Sequence, residues 1–249
     1  MATSNPTKGN ERFNAEAASW DSCADVHTAS ALALEAIVSK IPALKSKPGS
    51  LDVLEIGCGT GLLSFLIAPY VRSLTAVDAA QGMIDAFNIK LSSRPSVQNI
   101  ATVAAELSDP SDPLISLDPV TQNTIPSRKF DLIISHLVLH HIPSLSSILE
   151  TMHGCLKPGG RVALTDFEDF GPEARHFHPE NRMGGVMRHG IEKNEMGRLM
   201  REAGFVDVSV EKGFELEKWI EKSPGAGLVM GEGGTKRVFP FLICTGRKE

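Results

Sequence analysis

From Leu51 onward the chain alternates between two textures. Short, nearly continuous apolar runs (LDVLEIG, SLTAVDA, NIATVAAEL, FDLIISHLV, RVALTDF) are separated, in most cases, by stretches with apolar residues at helical spacing (GLLSFLIAPYV, GMIDAFNIKL, SLSSILETMHGCL). A strand that is apolar throughout is covered on both faces, and strands joined by helices run parallel. The pattern therefore predicts an α/β fold built on an open, doubly wound, mostly parallel sheet of Rossmann-like type. Such sheets bind ligands beyond the carboxyl ends of their strands. After a helical stretch, IEKNEMGRLMREAG, closed by Gly204, the runs FVDVSVEKGFEL and RVFPFLICTGRK read as two more strands, an antiparallel pair at the sheet edge.

Ahead of Leu51 the texture is helical. A short pattern spans Phe13 to Trp20, and a longer one from about Val26 to Leu44 repeats Leu34, Ile37, Val38, Ile41 and Leu44 on one face. Residues 1–10 are polar and expected to be disordered. Two stretches break the rhythm of the rest: 108–128 holds four prolines, and 169–190 is polar with three of the eight histidines. No internal repeat or low-complexity tract is present.

Composition removes several function classes. The chain has 249 residues, with 25 basic against 30 acidic side chains and a net charge of −5. That balance argues against a nucleic-acid binder that relies on bulk positive charge. Cys23, Cys58, Cys155 and Cys244 form no C-x-x-C pair, so neither a disulfide scaffold nor a zinc knot is expected. The longest apolar run, Leu62 to Val71, is broken by Ser64 and Pro69 and falls well short of the about 18 residues of a membrane span. MATSNPTKGN lacks the apolar core of a signal peptide. A cytoplasmic or nucleocytoplasmic protein without a membrane partner is expected.

The most informative block is Val53-Leu-Glu-Ile-Gly-Cys-Gly-Thr-Gly61. Its three glycines follow a strand and open a helix, so the backbone turns tightly and its N–H groups face a ligand without an intervening Cβ. Asp78 ends the next strand, 21 residues after Gly57, placed to accept the hydroxyl protons of a ribose. The dinucleotide pattern G-x-G-x-x-G/A fails at Leu62, which turns the reading away from a nicotinamide-dependent dehydrogenase.

Taken together, VLEIGCGTG, AVDAAQGMI, FDLIISHLVLHHI, LKPGGRVALTDF and AGFVDV resemble the class I S-adenosylmethionine-dependent methyltransferases of the UbiE-like, or methyltransferase domain 11, type. The resemblance covers about Trp20 to Phe167. It implies that Glu55 and the backbone of Gly57, Cys58, Gly59 and Gly61 hold the methionyl part of S-adenosylmethionine. It further implies that Asp78, followed by Ala79, takes the ribose and that Met83 packs on the adenine. The aspartate expected after the third strand is missing, so Glu106 or the backbone at Ala105 takes its place. Ser135 and His136 would line the methionine end, and Trp20 would belong to an N-terminal lid. The resulting division is a helical lid over 11–50 and one methyltransferase domain over 51–249, with a cofactor core at 51–170 and a substrate-side loop and strands at 171–249.

The acceptor is expected to be a small molecule methylated on O, N or S. A hydroxyl or protonated amine needs a base within hydrogen-bond reach. Histidine titrates near neutral pH, which ranks His178, His189 and His140 first, with Asp166 beside them. Glu168, His141 and His176 are lesser candidates, His141 reading chiefly as part of the LHHIP turn. A metal site from His176, His178 and His189 with Asp166 or Glu168 is the weaker reading because its spacing is loose, and no metal is expected. Arg175, Arg182 and Arg188 lie in a locally basic stretch that either meets an acidic acceptor or is simply solvated. A protein side-chain methyltransferase and a non-catalytic cofactor-binding regulator are the alternatives. The oligomeric state is expected to be monomer or homodimer.

Overall fold

The computed structural model describes residues 8–178, 182–220 and 235–249. Its strands are β1 (Asp52–Ile56), β2 (Ser73–Asp78), β3 (Ile100–Ala104), β4 (Phe130–His136), β5 (Leu156–Phe167), β6 (Val206–Ile220) and β7 (Thr235–Arg247). They form one sheet in the order β3-β2-β1-β4-β5-β7-β6. The first five run parallel, while β7 lies between β5 and β6 and is antiparallel to both. The doubly wound sheet and its antiparallel C-terminal pair are thus as the pattern predicts, with β6 outermost.

Side-chain alternation along the parallel strands builds two cores. Leu54, Ile133, Val162 and Leu164 face one layer, packed by α6 (Leu145–Cys155) and α7 (Lys193–Glu202). Val53, Leu132, Ile134 and Ala163 face the other, packed by α2 (Ala24–Lys40), α4 (Leu62–Ile67) and α5 (Gln81–Ser92). Successive strand residues point to opposite faces, and here both faces are dry. Among the described residues no helix is long and apolar enough to cross a membrane.

Prolines shorten two predicted helices. The long N-terminal helix ends at Lys40 ahead of Pro42, and Leu44 is buried from the separate turn α3 (Ala43–Ser46). Likewise α4 gives way at Pro69 to a 3₁₀ turn over Ala68–Tyr70. The predicted disorder over 1–10 needs correction at its end: Lys8–Asn10 belong to α1 (Lys8–Glu16), and residues 1–7 lie outside the described residues.

The N-terminal segment is fastened to the sheet's edge at the carboxyl ends of β1 and β2. The Asn14 side-chain oxygen accepts the Gly82 N–H at 2.7 Å, occupying one of the free donors at the start of α5. Asp21 accepts the Thr60 hydroxyl at 2.5 Å and the Lys90 ammonium at 2.5 Å. One carboxylate thereby ties the segment to the glycine-rich turn and to α5. At the opposite edge, the proline-bearing stretch after β3 is held by the buried Arg128, which donates to Thr75 Oγ1 at 3.1 Å, Ser73 Oγ at 2.7 Å and the Leu117 carbonyl.

Candidate functional site

Gly57, Gly59 and Gly61 all adopt positive φ (74°, 52° and 85°) in the turn from β1 to α4, a region non-glycine residues reach only at a cost. Their surroundings differ. A Cβ on Gly57 would lie 2.2 Å from Val138, and one on Gly61 would lie 2.5 Å from Phe87. A Cβ on Gly59 would meet nothing within 4 Å. The outer two glycines are therefore required by packing, while the middle one faces open space that a ligand can enter.

Asp78 stands beside that opening. Its Oδ2 accepts the Gly59 N–H at 2.8 Å and its Oδ1 accepts the Ala80 N–H at 2.8 Å. Each carboxylate oxygen keeps a further acceptor site. Burial raises the Asp78 carboxyl above its ordinary value, and the two N–H donors act against that rise. Glu55 is deeper, 2% exposed, and its Oε2 accepts the Ser64 hydroxyl at 2.5 Å. Burial pushes its pKa up to about 8, opposed by the Ser64 hydrogen bond and aided by the Asp78 charge.

The other residues assigned to the cofactor are placed unevenly. Met83 is buried with Ala17 and Ala80, and Trp20 and Phe13 pack on that cluster, their rings edge-on at 5.9 Å. Ala79 and Glu106 are exposed, and the Ala105 N–H donates to the Asp78 carbonyl at 2.9 Å. Cys58 is buried, its thiol pushed far up by burial and by Asp78 and Glu55. Ser135 spends its hydroxyl on the Ile56 carbonyl at 2.8 Å, tying the ends of β1 and β4 together. His136 pairs through Nδ1 with Thr165 Oγ1 at 2.8 Å, and burial lowers its pKa to about 4.

A histidine cluster lies at the ends of β4 and β5. The register opposes His136 to Thr165, so Asp166 stands one residue further on. Leu137, in the left-handed region at φ 57°, turns the chain back over β5. This is strain of the kind that persists where the surroundings fix it. His140 consequently meets Asp166 twice: its ring Nδ1 lies 2.8 Å from Oδ1, and its backbone N–H donates to Oδ2 at 3.1 Å. Both residues are 1% exposed. Burial alone would raise the Asp166 carboxyl, but the adjoining His140 ring, through its electrostatics and its hydrogen bond, with the N–H groups of His140 and Phe167, holds it below the ordinary value. With Nδ1 engaged, the buried Nε2 of His140 has no hydrogen-bond partner among the described residues.

His141 and His178 close around His140, with ring centroids 3.9 and 4.9 Å away. The His141 Nδ1 lies 2.8 Å from the Gly185 carbonyl. Burial first, then the neighbouring His140, lowers the His141 pKa to about 3, and burial, His140, His141, Lys218 and Arg12 lower that of His178. Phe167 and Phe177 stack at 4.1 Å as one wall, continued by Phe239 and Phe241. Phe13 of α1 meets His141 edge-on at 5.0 Å, so the N-terminal segment reaches the cluster.

Of the predicted bases, the structure brings together His140, His178 and Asp166 with His141, one of the lesser candidates. His189 is exposed and His176 partly so, and neither shares the ring contacts of the cluster. Glu168 instead donates its N–H to the Pro240 carbonyl in the strand network. Arg188 turns inward: its guanidinium donates to the carbonyls of Leu139, Ile142 and Pro143, bracketing the His140–His141 turn. The pairing of His140 with Asp166 was within reach of the sequence, since adjacent parallel strands end side by side. The phenylalanine wall was signalled only by Phe239 and Phe241, two residues apart on one strand face.

The sequence profile of a methyltransferase-domain family matches residues 27–210. A Schizosaccharomyces pombe protein named as an uncharacterized methyltransferase is 24% identical over 184 residues, covering 71% of this chain and 61% of the relative. Phosphoethanolamine N-methyltransferase 1 of Zea mays is 28% identical over 170 residues, covering 68% of this chain and 30% of the relative. The match thus spans less than two thirds of either relative's length. Among solved structures, the N-methyltransferase NodS of Bradyrhizobium japonicum WM9, in complex with S-adenosyl-L-homocysteine, shares the fold. Its TM-score is 0.58 at 15% identity, covering 97% of this chain and 98% of that one.

Proposed function

The chain belongs to the methyltransferase-domain family, and from that premise we propose that it moves a methyl group from S-adenosylmethionine to an O, N or S nucleophile of a small molecule seated against His140. The observation that carries the reading is the juxtaposition at one sheet edge. An open glycine turn and Asp78 end β1 and β2, and a histidine whose buried ring nitrogen has no hydrogen-bond partner among the described residues sits in the turn that follows β4. The match at the level of the methyltransferase domain does not single out the UbiE-like type.

The residues present fit this cofactor. Gly59 leaves the space a Cβ would fill, Asp78 offers acceptor sites for two ribose hydroxyls, and Glu55 offers a carboxyl near the β1 end. Bound there, the sulfonium supplies an already activated methyl, so the protein has only to align the acceptor and exclude water. The Phe167–Phe177 wall and the Phe13–Trp20 segment exclude water. Asp166 fixes the His140 ring with its proton on Nδ1, leaving the Nε2 lone pair to accept the proton of a hydroxyl or ammonium. A thiolate acceptor needs only the positioning.

The reading is tested by incubating the protein with the cofactor and a panel of phenols, alcohols, amines, carboxylates and thiols, reading formation of S-adenosylhomocysteine. One acceptor class should turn over. Cofactor binding by calorimetry with no turnover across the panel would instead favour a regulatory protein, and label from the cofactor in protein side chains would move the acceptor to a macromolecule.

A further inference from the structure

Three imidazoles converge at one point, and among the described residues no protein atom satisfies two of their nitrogens. One ring nitrogen from each of His140, His141 and His178 lies within 4.8 Å of the others. The Nε2 of His140 and the Nδ1 of His178 are buried and unpartnered, a condition that is rare for buried polar atoms and calls for an explanation. Two of the rings are also oriented from behind. Asp166 holds Nδ1 of His140, and the Gly185 carbonyl accepts from Nδ1 of His141. In the neutral tautomers so fixed, both Nε2 lone pairs are available. A carboxylate or carbonyl behind a ligating histidine is the usual support of a metal site.

We propose that His140, His141 and His178 form a binding site for a divalent zinc-type cation, with Asp166 and the Gly185 carbonyl orienting the rings behind it. An all-imidazole donor set suits Zn²⁺, Cu²⁺ or Ni²⁺ and not Mg²⁺ or Ca²⁺, which take oxygen ligands. Three histidines leave a fourth tetrahedral position open. Zinc–nitrogen bonds of about 2.0–2.1 Å require the rings to draw closer than the present spacing. His178 can supply that movement, because no hydrogen bond from the described residues holds its Nδ1. Arg12 and Lys218 face the rings and oppose a second positive charge, while the buried Asp166 carboxylate offsets it.

The site goes beyond the methyl-transfer reading and constrains it. The lone pair on His140 that would take an acceptor proton is the one a cation would share, so the two occupancies exclude each other. Zinc in excess should therefore slow turnover of any hydroxyl or ammonium acceptor, and a chelator should restore it.

The decisive measurement is metal binding by the full chain, independent of turnover. Protein stripped with chelator is titrated with Zn²⁺ by calorimetry and with Co²⁺ by visible absorption, with Mg²⁺ as a control. One equivalent should bind, with the intense d–d bands of tetrahedral cobalt. The variants His141→Gln and His178→Gln should each weaken binding at least tenfold, and Asp166→Asn about 10–100-fold. His189→Ala should bind as the unaltered protein does. Thermal melts confirm that each variant is folded. The proposal is overturned if the folded protein takes up no equivalent of Zn²⁺ or Co²⁺, or if the His141 and His178 variants bind as tightly as the unaltered chain. Calorimetry with S-adenosylmethionine on the same preparation separates failure of this site from failure of the cofactor reading.

Discussion

One carboxylate holds both the ring and the backbone of His140: Asp166 lies 2.8 Å from Nδ1 through Oδ1 and accepts the backbone N–H through Oδ2 at 3.1 Å. The ring is thereby locked in one tautomer and one direction. Asp166→Asn keeps the size but can present an N–H where an acceptor is needed. For an acceptor that must lose a proton, kcat should fall by about 10²-fold or more. Cofactor affinity, set at the other strand ends, should stay as it was. Steady-state kinetics with calorimetry decide it: an unaltered kcat means that His140 serves packing alone.

Asp78 ends β2 with two backbone N–H bonds and spare acceptor sites. Asp78→Ala removes the proposed ribose partner and should weaken S-adenosylmethionine binding by about 1–3 kcal/mol, the range for a lost hydrogen bond to a charged group. The comparison to make is calorimetric, with S-adenosylhomocysteine as a second ligand. Equal affinity in variant and parent would place the ribose elsewhere.

The three glycines should separate fold from binding. Gly61→Ala drives a methyl to 2.5 Å from Phe87 at a positive φ, so melting temperature should drop sharply. At Gly59 the added carbon meets no described protein atom, so only the left-handed backbone is strained, at a cost of about 1–2 kcal/mol. Gly59→Ala should therefore melt well above Gly61→Ala yet lose cofactor binding. If Gly59→Ala still bound the cofactor, the ligand would not approach this turn.

Asp21 is the latch between the N-terminal segment and the ligand edge. Asp21→Ala frees Thr60 and Lys90 together, and the segment bearing Phe13 and Trp20 should open more often. Cofactor dissociation, followed by stopped-flow fluorescence of the tryptophans, should quicken several-fold. No change in the off-rate would show that the segment does not cover the ligand.

How far the sequence foretold this arrangement depended on whether the information is local. The Val53–Gly61 block and Asp78 are local signals with one physical solution, so the strand, the glycine turn and the placing of Asp78 beside it are all legible. The ends of α2 and α4 were missed because the periodic apolar residues run on through Pro42 and Pro69, and Leu44 is buried regardless of the break. His141 was read as a turn residue because nothing in LHHIP shows that a carbonyl 44 residues later, Gly185, orients its ring. For the same reason the sequence leaves Arg188 either meeting an acidic acceptor or solvated, and does not show it turned inward. Its carbonyl partners belong to a turn some 45 residues earlier in the chain.

Glu55 gives the fold a pH dependence whose sign can be worked out. In the folded chain its pKa is about 8, against an ordinary value of 4.5, chiefly because the side chain is buried. Between those values the folded state keeps a proton that the unfolded chain has released. The contribution to stability is thus fully present below about pH 4.5 and is lost as pH rises through about 8. The loss runs at on the order of 1 kcal/mol per pH unit inside that window. Glu55→Gln carries the neutral form at every pH and should escape it. Melting temperatures of the two proteins from about pH 5 to pH 9 should diverge in favour of the variant as pH rises. Parallel curves would mean that Glu55 ionises in the folded protein as it does in the unfolded chain.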